Sequence, residues 1–164
     1  MKHQANKGER IAKIIARAGL ASRRESEKLI LDGRVKVNGK TINSPALNLT
    51  KNDVIEVDGK LLLPPEQTRL WIYNKPVGLV STSKDEKNRP TIFDNLPKEL
   101  PRVVSIGRLD LNSEGLLLLT NDGELKRRLE LPSTGWLRRY RVRVKGKLKD
   151  SMLEPLRHGI FVEG

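Results

Sequence analysis

Among the residues that could do chemistry, Asp110 stands out, within VVSIGRLDLNSEGLLLL. It falls in a polar stretch between two apolar runs, flanked by Leu109 and Leu111 and two residues after Arg108. A carboxylate brought into partly apolar surroundings costs desolvation unless a cation accompanies it, and a nearby arginine keeps it ionised. An ionised, poorly hydrated carboxylate can act as a nucleophile or a general base. An aspartate among glycine-rich turns is more often a turn residue. Residue types and spacing therefore leave both roles open and do not identify a reaction. Other chemistries are poorly provided for. There is no cysteine for thiolate catalysis, disulfides or zinc spacing. His3 and His158 are isolated, so no metal site is expected. Dinucleotide and phosphate-loop fingerprints are absent.

Cations supply the second set of candidates. Lysine and arginine number 32 against 20 acids, a formal net charge of +12, which favours a polyanionic partner. In GERIAKIIARAG, Arg10, Lys13 and Arg17 cluster on a helical wheel beside an apolar stripe, an arrangement a phosphate backbone can use. Arg23 and Arg24 occupy the first two helical positions after Ser22, where cations oppose the helix dipole by roughly 0.3–1 kcal/mol each. The same place suits an incoming phosphate, the alternative being that both arginines are simply solvated or pair with Glu27. Further on, LRRYRVRVKGK alternates, with Tyr140, Val142 and Val144 on one face and Arg139, Arg141, Arg143 and Lys145 on the other. That pattern predicts a half-buried strand with a cationic outer face.

The elements that must position these residues fall into two blocks. Pro64-Pro65 cannot continue a helix or a central strand and marks a linker at 63–68, between a small domain at 8–62 and a second block at 69–164. Ile11, Ile14, Ile15 and Ala18 recur at helical spacing up to Gly19. Ser22 followed by Glu25 is a capping box, so a second helix runs from there to about Asp32. VKVNGKTI alternates around Asn38-Gly39 and predicts a hairpin, and Asp58-Gly59 predicts another tight turn. In the second block LWIYNKPVGLVST reads as strand, turn and further strand, and RPTIFDNLP as a short helix or turn. Val103–Ile106 reads as a strand ending at Gly107, and Leu116–Leu119 as a fully buried central strand. Asp122 can cap a helix beginning near Glu124. The N-terminus MKHQANKGER is polar and basic rather than secretory, and no long apolar run suits a membrane. A cytoplasmic protein is expected.

GERIAKIIARAGLASRRESEKLILDGRVKVNGK resembles the small RNA-binding domain named after ribosomal protein S-four, the alpha-L motif. That likeness implies that Arg10, Lys13, Arg17, Arg23, Arg24 and Lys28 face RNA. NKPVGLVST, GRLDLNSEGLLLLTNDG and RRYRVRV, in this order behind such a domain, resemble the RsuA/RluB family of ribosomal RNA pseudouridine synthases, and RPTIFDNLP leans towards the large-subunit branch. The resemblance covers residues from about 8 to 164. It implies an α+β fold: a helix-helix-hairpin domain followed by the first part of a mixed, mainly antiparallel sheet with flanking helices.

It also implies roles. Asp110 matches the catalytic aspartate, Arg108 the arginine that pairs with it and holds the flipped nucleotide, and Tyr140 the tyrosine that stacks on the target base. Lys75-Pro76 matches a motif of mainly structural role, and Arg139 and Arg141 are placed to hold the RNA backbone. The reaction implied detaches uracil from its ribose, turns it and rejoins it through carbon 5, with no cofactor. The family pattern continues beyond LRHGIFVEG, so an incomplete catalytic domain with an open sheet edge and little activity alone is expected. Partners expected are ribosomal RNA, of the large subunit, or an assembling ribosomal particle. The alternatives are a non-catalytic RNA-docking protein or inactive fragment and, more weakly, a heat-shock or ribosome-recycling factor, which would have no need of the GRLD loop.

Overall fold

The computed structural model describes residues 8–161. Residues 1–7, with the expected solvent-facing His3, and 162–164 lie outside the described residues. Among the described residues no helix is long and apolar enough to cross a membrane.

The first half is built from local rules. A two-residue strand β1 (Glu9–Arg10) leads into helix α1 (Ile11–Arg17) and pairs with β4 (Asn48–Leu49). Ser22 caps helix α2 (Arg23–Leu31) with a complete capping box: its hydroxyl accepts from Glu25 N at 3.2 Å, and the Glu25 carboxylate accepts from Ser22 N at 2.7 Å. Those bonds hold the Glu25 carboxyl below its ordinary pKa. Strands β2 (Val35–Val37) and β3 (Lys40–Ile42) join through Asn38-Gly39, with Asn38 at φ 50°. β5 (Ile55–Val57) and β6 (Lys60–Leu61) join through Asp58 at φ 52°. These are the positive-φ turns whose twist suits adjacent antiparallel strands. The sheet order is β3-β2-β5-β6. Ile11, Ile15, Ile30 and Val35 are fully buried in its core, each contributing roughly 1.5–3 kcal/mol.

The second half rests on a three-stranded antiparallel sheet, order β7-β9-β8, from β7 (Leu70–Lys75), β8 (Val104–Ile106) and β9 (Gly115–Thr120). The expected central strand is β9. In the register Trp71 faces Leu119, Tyr73 faces Leu117 and Lys75 faces Gly115. Period-two alternation puts Trp71, Tyr73 and Lys75 on the covered face with buried Leu117 and Leu119. Leu79, Ile92 and Val103 fill the same core. Helix α3 (Gly123–Glu130) starts where expected, with the Asp122 carboxylate accepting from Glu124 N at 2.8 Å and Leu125 N at 3.3 Å. The RPTIFDNLP stretch holds a short 3₁₀ turn at Phe93–Asn95.

Several expectations are corrected. Leu116–Leu119 is buried on one face only, because Leu116 is 67% and Ile72 80% exposed on the other. The strand expected after Gly78 reduces to a single parallel bridge, Val80 to Thr91. The strand expected through Arg138–Lys145 does not form. Residues 137–149 carry no strand, and Tyr140 and Val142 are 64% and 77% exposed. Alternation defines which face could be buried, but a strand needs a paired edge and a covering layer, and this segment meets neither among the described residues. Arg10 precedes the helix at φ −58°, ψ 128°, so it is not on one helical row with Lys13 and Arg17. Helix α4 (Asp150–His158), with Pro155 inside it, was not anticipated. Its cues were Met152 and Leu156 one turn apart, Asp150 in the first turn, and Arg157 and His158 in the last.

Candidate active site

Asp110 lies in the loop between β8 and β9, where the sequence pattern puts it. Gly107 and Gly115 close the two ends of that loop at φ 75° and 114°, conformations a side chain would strain. Between them the backbone is tied down from several directions. Gly107 N donates to the Glu130 carboxylate at 2.6 Å, and Lys126 holds that carboxylate at 2.6 Å while donating to Ser105 O. Burial alone would raise the Glu130 carboxyl, but the bonds from Lys126 and Gly107 outweigh it and bring it below its ordinary value. Gly78 N donates to Leu111 O at 2.8 Å, and Ser113 N donates to Asp110 O at 3.0 Å. Ser81 bonds both backbone groups of Leu109, whose side chain packs against the second core.

Lys75 supplies the most demanding contact. Its side chain is fully buried, and the ammonium donates to Pro76 O at 3.0 Å, Asp110 O at 3.0 Å and Ser113 O at 2.8 Å. Burial pushes its pKa down, and the negative charge of Asp110 opposes that shift. An ammonium with all three donors spent on carbonyls is a tolerated buried charge. Its effect is to join the end of β7 to both sides of the 110–113 turn.

The Asp110 carboxylate takes no part in this network. It is exposed and joins no ion pair among the described residues. The expected partly apolar setting and the expected pairing with Arg108 are both corrected. Arg108 is exposed too, and between two solvated side chains such a pair is worth about 0–1 kcal/mol. The outcome is a fixed backbone presenting a carboxylate that no group among the described residues engages.

Residues 69–160 match the RNA pseudouridylate synthase family, and residues 9–55 match the S4 domain. The chain belongs to the RNA pseudouridylate synthase family. It is 54% identical over 156 residues to an uncharacterised RNA pseudouridine synthase of Rickettsia felis, covering 95% of this chain and 67% of that one. It is 56% identical over 137 residues to the corresponding Rickettsia prowazekii protein, covering 84% of this chain and 58% of that one. With the ribosomal large subunit pseudouridine synthase B of Pseudomonas aeruginosa it shares 45% identity over 161 residues, 95% of this chain and 42% of that one. The chain thus spans two thirds or less of the length of most of these relatives. A solved structure, the crystal structure of a pseudouridylate synthase, aligns with a TM-score of 0.38 and 32% identity, covering 74% of this chain and 52% of that one.

In this synthase-family chain the other candidates are distributed as follows. Tyr140 lies in the irregular segment before α4, on which Arg139 and Arg141 are also exposed. Among the described residues one concavity is lined by residues including Phe93, Asp94, Lys98 and Arg102, and another by residues including Leu125, Leu129 and Trp136. Neither includes Asp110, Arg108 or Tyr140. Of the cations in the first half, Arg10, Arg17, Arg23, Arg24 and Lys28 are exposed, and Arg23 lies 3.7 Å from Glu27. Lys13 departs from its expected role. Its ammonium bonds Glu124 of α3 and Glu9, which together raise its pKa, so its charge is engaged within the protein. The family resemblance gave Lys75 a structural role without tying it to the Asp110 loop, and reasoning from the sequence missed Ser81 altogether. The cue for Lys75 was its place two residues beyond Tyr73 and four beyond Trp71 on one strand face.

Proposed function

We propose that this protein isomerises a uridine of ribosomal RNA, of the large subunit, to pseudouridine, with Asp110 as the catalytic carboxylate. The observation that carries the reading is the contrast at that residue: the backbone at 109, 110, 111 and 113 is bonded to the 75–81 segment, while among the described residues nothing engages the carboxylate. Preorganised placement of a reacting group on a rigid support is how a site lowers a barrier without reorganising during the reaction. Family membership supplies the reaction class, and the name of the Pseudomonas aeruginosa relative supplies the substrate.

The bond between ribose carbon 1′ and base N1 breaks, the uracil turns, and carbon 1′ bonds carbon 5. The carbon 5 proton leaves and N1 gains one, so atoms balance without an oxidant or cofactor. Asp110 acts as nucleophile or base in this sequence. Arg108, two residues away on the same loop, holds the nucleotide, and Tyr140 stacks on the base. A uridine in folded RNA must first be extruded, at a cost of a few kcal/mol. Arg10, Arg17, Arg23, Arg24 and Lys28, with Arg139 and Arg141 on the segment before α4, provide backbone contacts that offset it.

The test is tritium release from ribosomal RNA carrying uridine labelled at carbon 5. The expected result is release by the protein with a complete catalytic domain and none by its Asp110→Asn variant, with RNA affinity retained. Normal turnover by Asp110→Asn would refute the assignment. The exposure of Tyr140 and Arg108 favours one other reading, an RNA-docking protein without turnover. On that reading the wild type binds RNA in a strongly salt-dependent way and releases no tritium.

A further inference from the structure

We propose that Ser81 is a positioning residue for Asp110, holding the peptide units on its N-terminal side in the geometry the reaction needs. This inference rests on the reading of Asp110 as the catalytic carboxylate. Ser81 is 9% exposed, and its hydroxyl has two bonds, both to one residue. The hydroxyl donates to Leu109 O at 2.7 Å and accepts from Leu109 N at 3.1 Å. One side chain thereby reproduces the pair of bonds that a neighbouring strand residue would make, at a place where no strand runs.

The support beneath Ser81 is itself rigid. Val80 N donates to Pro90 O and Val80 O accepts from Ile92 N, each at 3.0 Å, and Leu79 and Val80 are buried. Gly78, three residues earlier, holds Leu111 O. The 78–81 segment therefore grips the chain one residue before and one residue after Asp110, and Asp110 itself is left to face outward. Rotation of the backbone at Leu109–Asp110 would displace the base from which the carboxylate projects, and the Ser81 bonds resist it directly. A catalytic group misplaced by about 1 Å can lose on the order of a hundredfold in rate.

The experiment compares wild type, Ser81→Ala, Ser81→Thr and Asp110→Asn in the full chain. It measures single-turnover rate at saturating RNA, RNA affinity and thermal midpoint. The expected result is a ten- to hundredfold slower rate for Ser81→Ala with RNA affinity within twofold of wild type, and recovery to within threefold in Ser81→Thr, which restores the hydroxyl. A merely structural serine would lower the thermal midpoint and leave the rate of the folded fraction unchanged, which overturns the proposal. Wild-type turnover by Ser81→Ala beside an inactive Asp110→Asn also overturns it, while the reading of Asp110 survives. Full turnover by Asp110→Asn removes both. Hydrogen exchange of the wild type provides a check that needs no variant. The Leu109 amide is expected to be protected at least a hundredfold, and exchange at the rate of an open chain would overturn the proposal even if Ser81→Ala fails to fold.

Discussion

Replacing Lys75 by methionine isolates the ammonium, because methionine keeps a long, unbranched apolar side chain of similar reach. Hydrogen bonds from a charged donor contribute about 1.5–3 kcal/mol each, so three have a gross value of about 4.5–9 kcal/mol. Burying the charge costs several kcal/mol and cancels most of that sum. The variant is relieved of this cost but leaves carbonyls behind. Asp110 O keeps the bond from Ser113 N, whereas Pro76 O and Ser113 O lose the Lys75 donor. At about 1–3 kcal/mol per orphaned group, less what the loop recovers by opening to water, the expected loss is about 2–3 kcal/mol. Urea titration followed by tryptophan fluorescence reads it, since both tryptophans, Trp71 and Trp136, lie in the second half of the chain. Hydrogen exchange should show the Ser113 amide losing protection before the rest of the sheet. A Lys75→Met protein within 0.5 kcal/mol of wild type, with unchanged exchange at Ser113, would refute the claim that this ammonium holds the turn.

Three further outcomes are expected. Asp122→Ala removes the cap of α3 and the acceptor of the Thr68 hydroxyl, bonded at 2.7 Å, and should cost about 1–2 kcal/mol; a loss below 0.3 kcal/mol in denaturant titration counts against the cap. Glu130 has a folded pKa below its ordinary 4.5, so its contribution is present above that value and lost as pH falls through the folded one. Stability measured in urea should therefore decline more steeply below pH 4.5 in wild type than in Glu130→Gln, and parallel curves would contradict this. Arg23→Ala with Arg24→Ala should weaken RNA binding and flatten the plot of log affinity against log salt by about 0.7–0.9 per lost phosphate contact; an unchanged slope would mean that these arginines do not touch the backbone.

The contrast between what was readable and what was not follows the range of the forces involved. The Ser22–Glu25 capping box, the turns at Asn38 and Asp58 and the Asp122 cap all depend on residues within about four positions of one another. Their residue types alone therefore announced them. The isoleucine stripe of α1 was legible for the same reason, through helical periodicity. The partners of Lys75 and Ser81 were not, because nothing local to either residue names the distant groups that hold it. Lys75 is held by Asp110 and Ser113, 35 and 38 positions away, and Ser81 by Leu109, 28 away. Lys13 shows the converse. Its place beside an apolar stripe suggested an RNA contact, but Glu124, 111 positions on, takes its charge. The alternation of Tyr140, Val142 and Val144 was real in the sequence and still made no strand. Periodicity specifies a face, and only chain elements brought together from afar can supply the edge and cover that turn a face into structure.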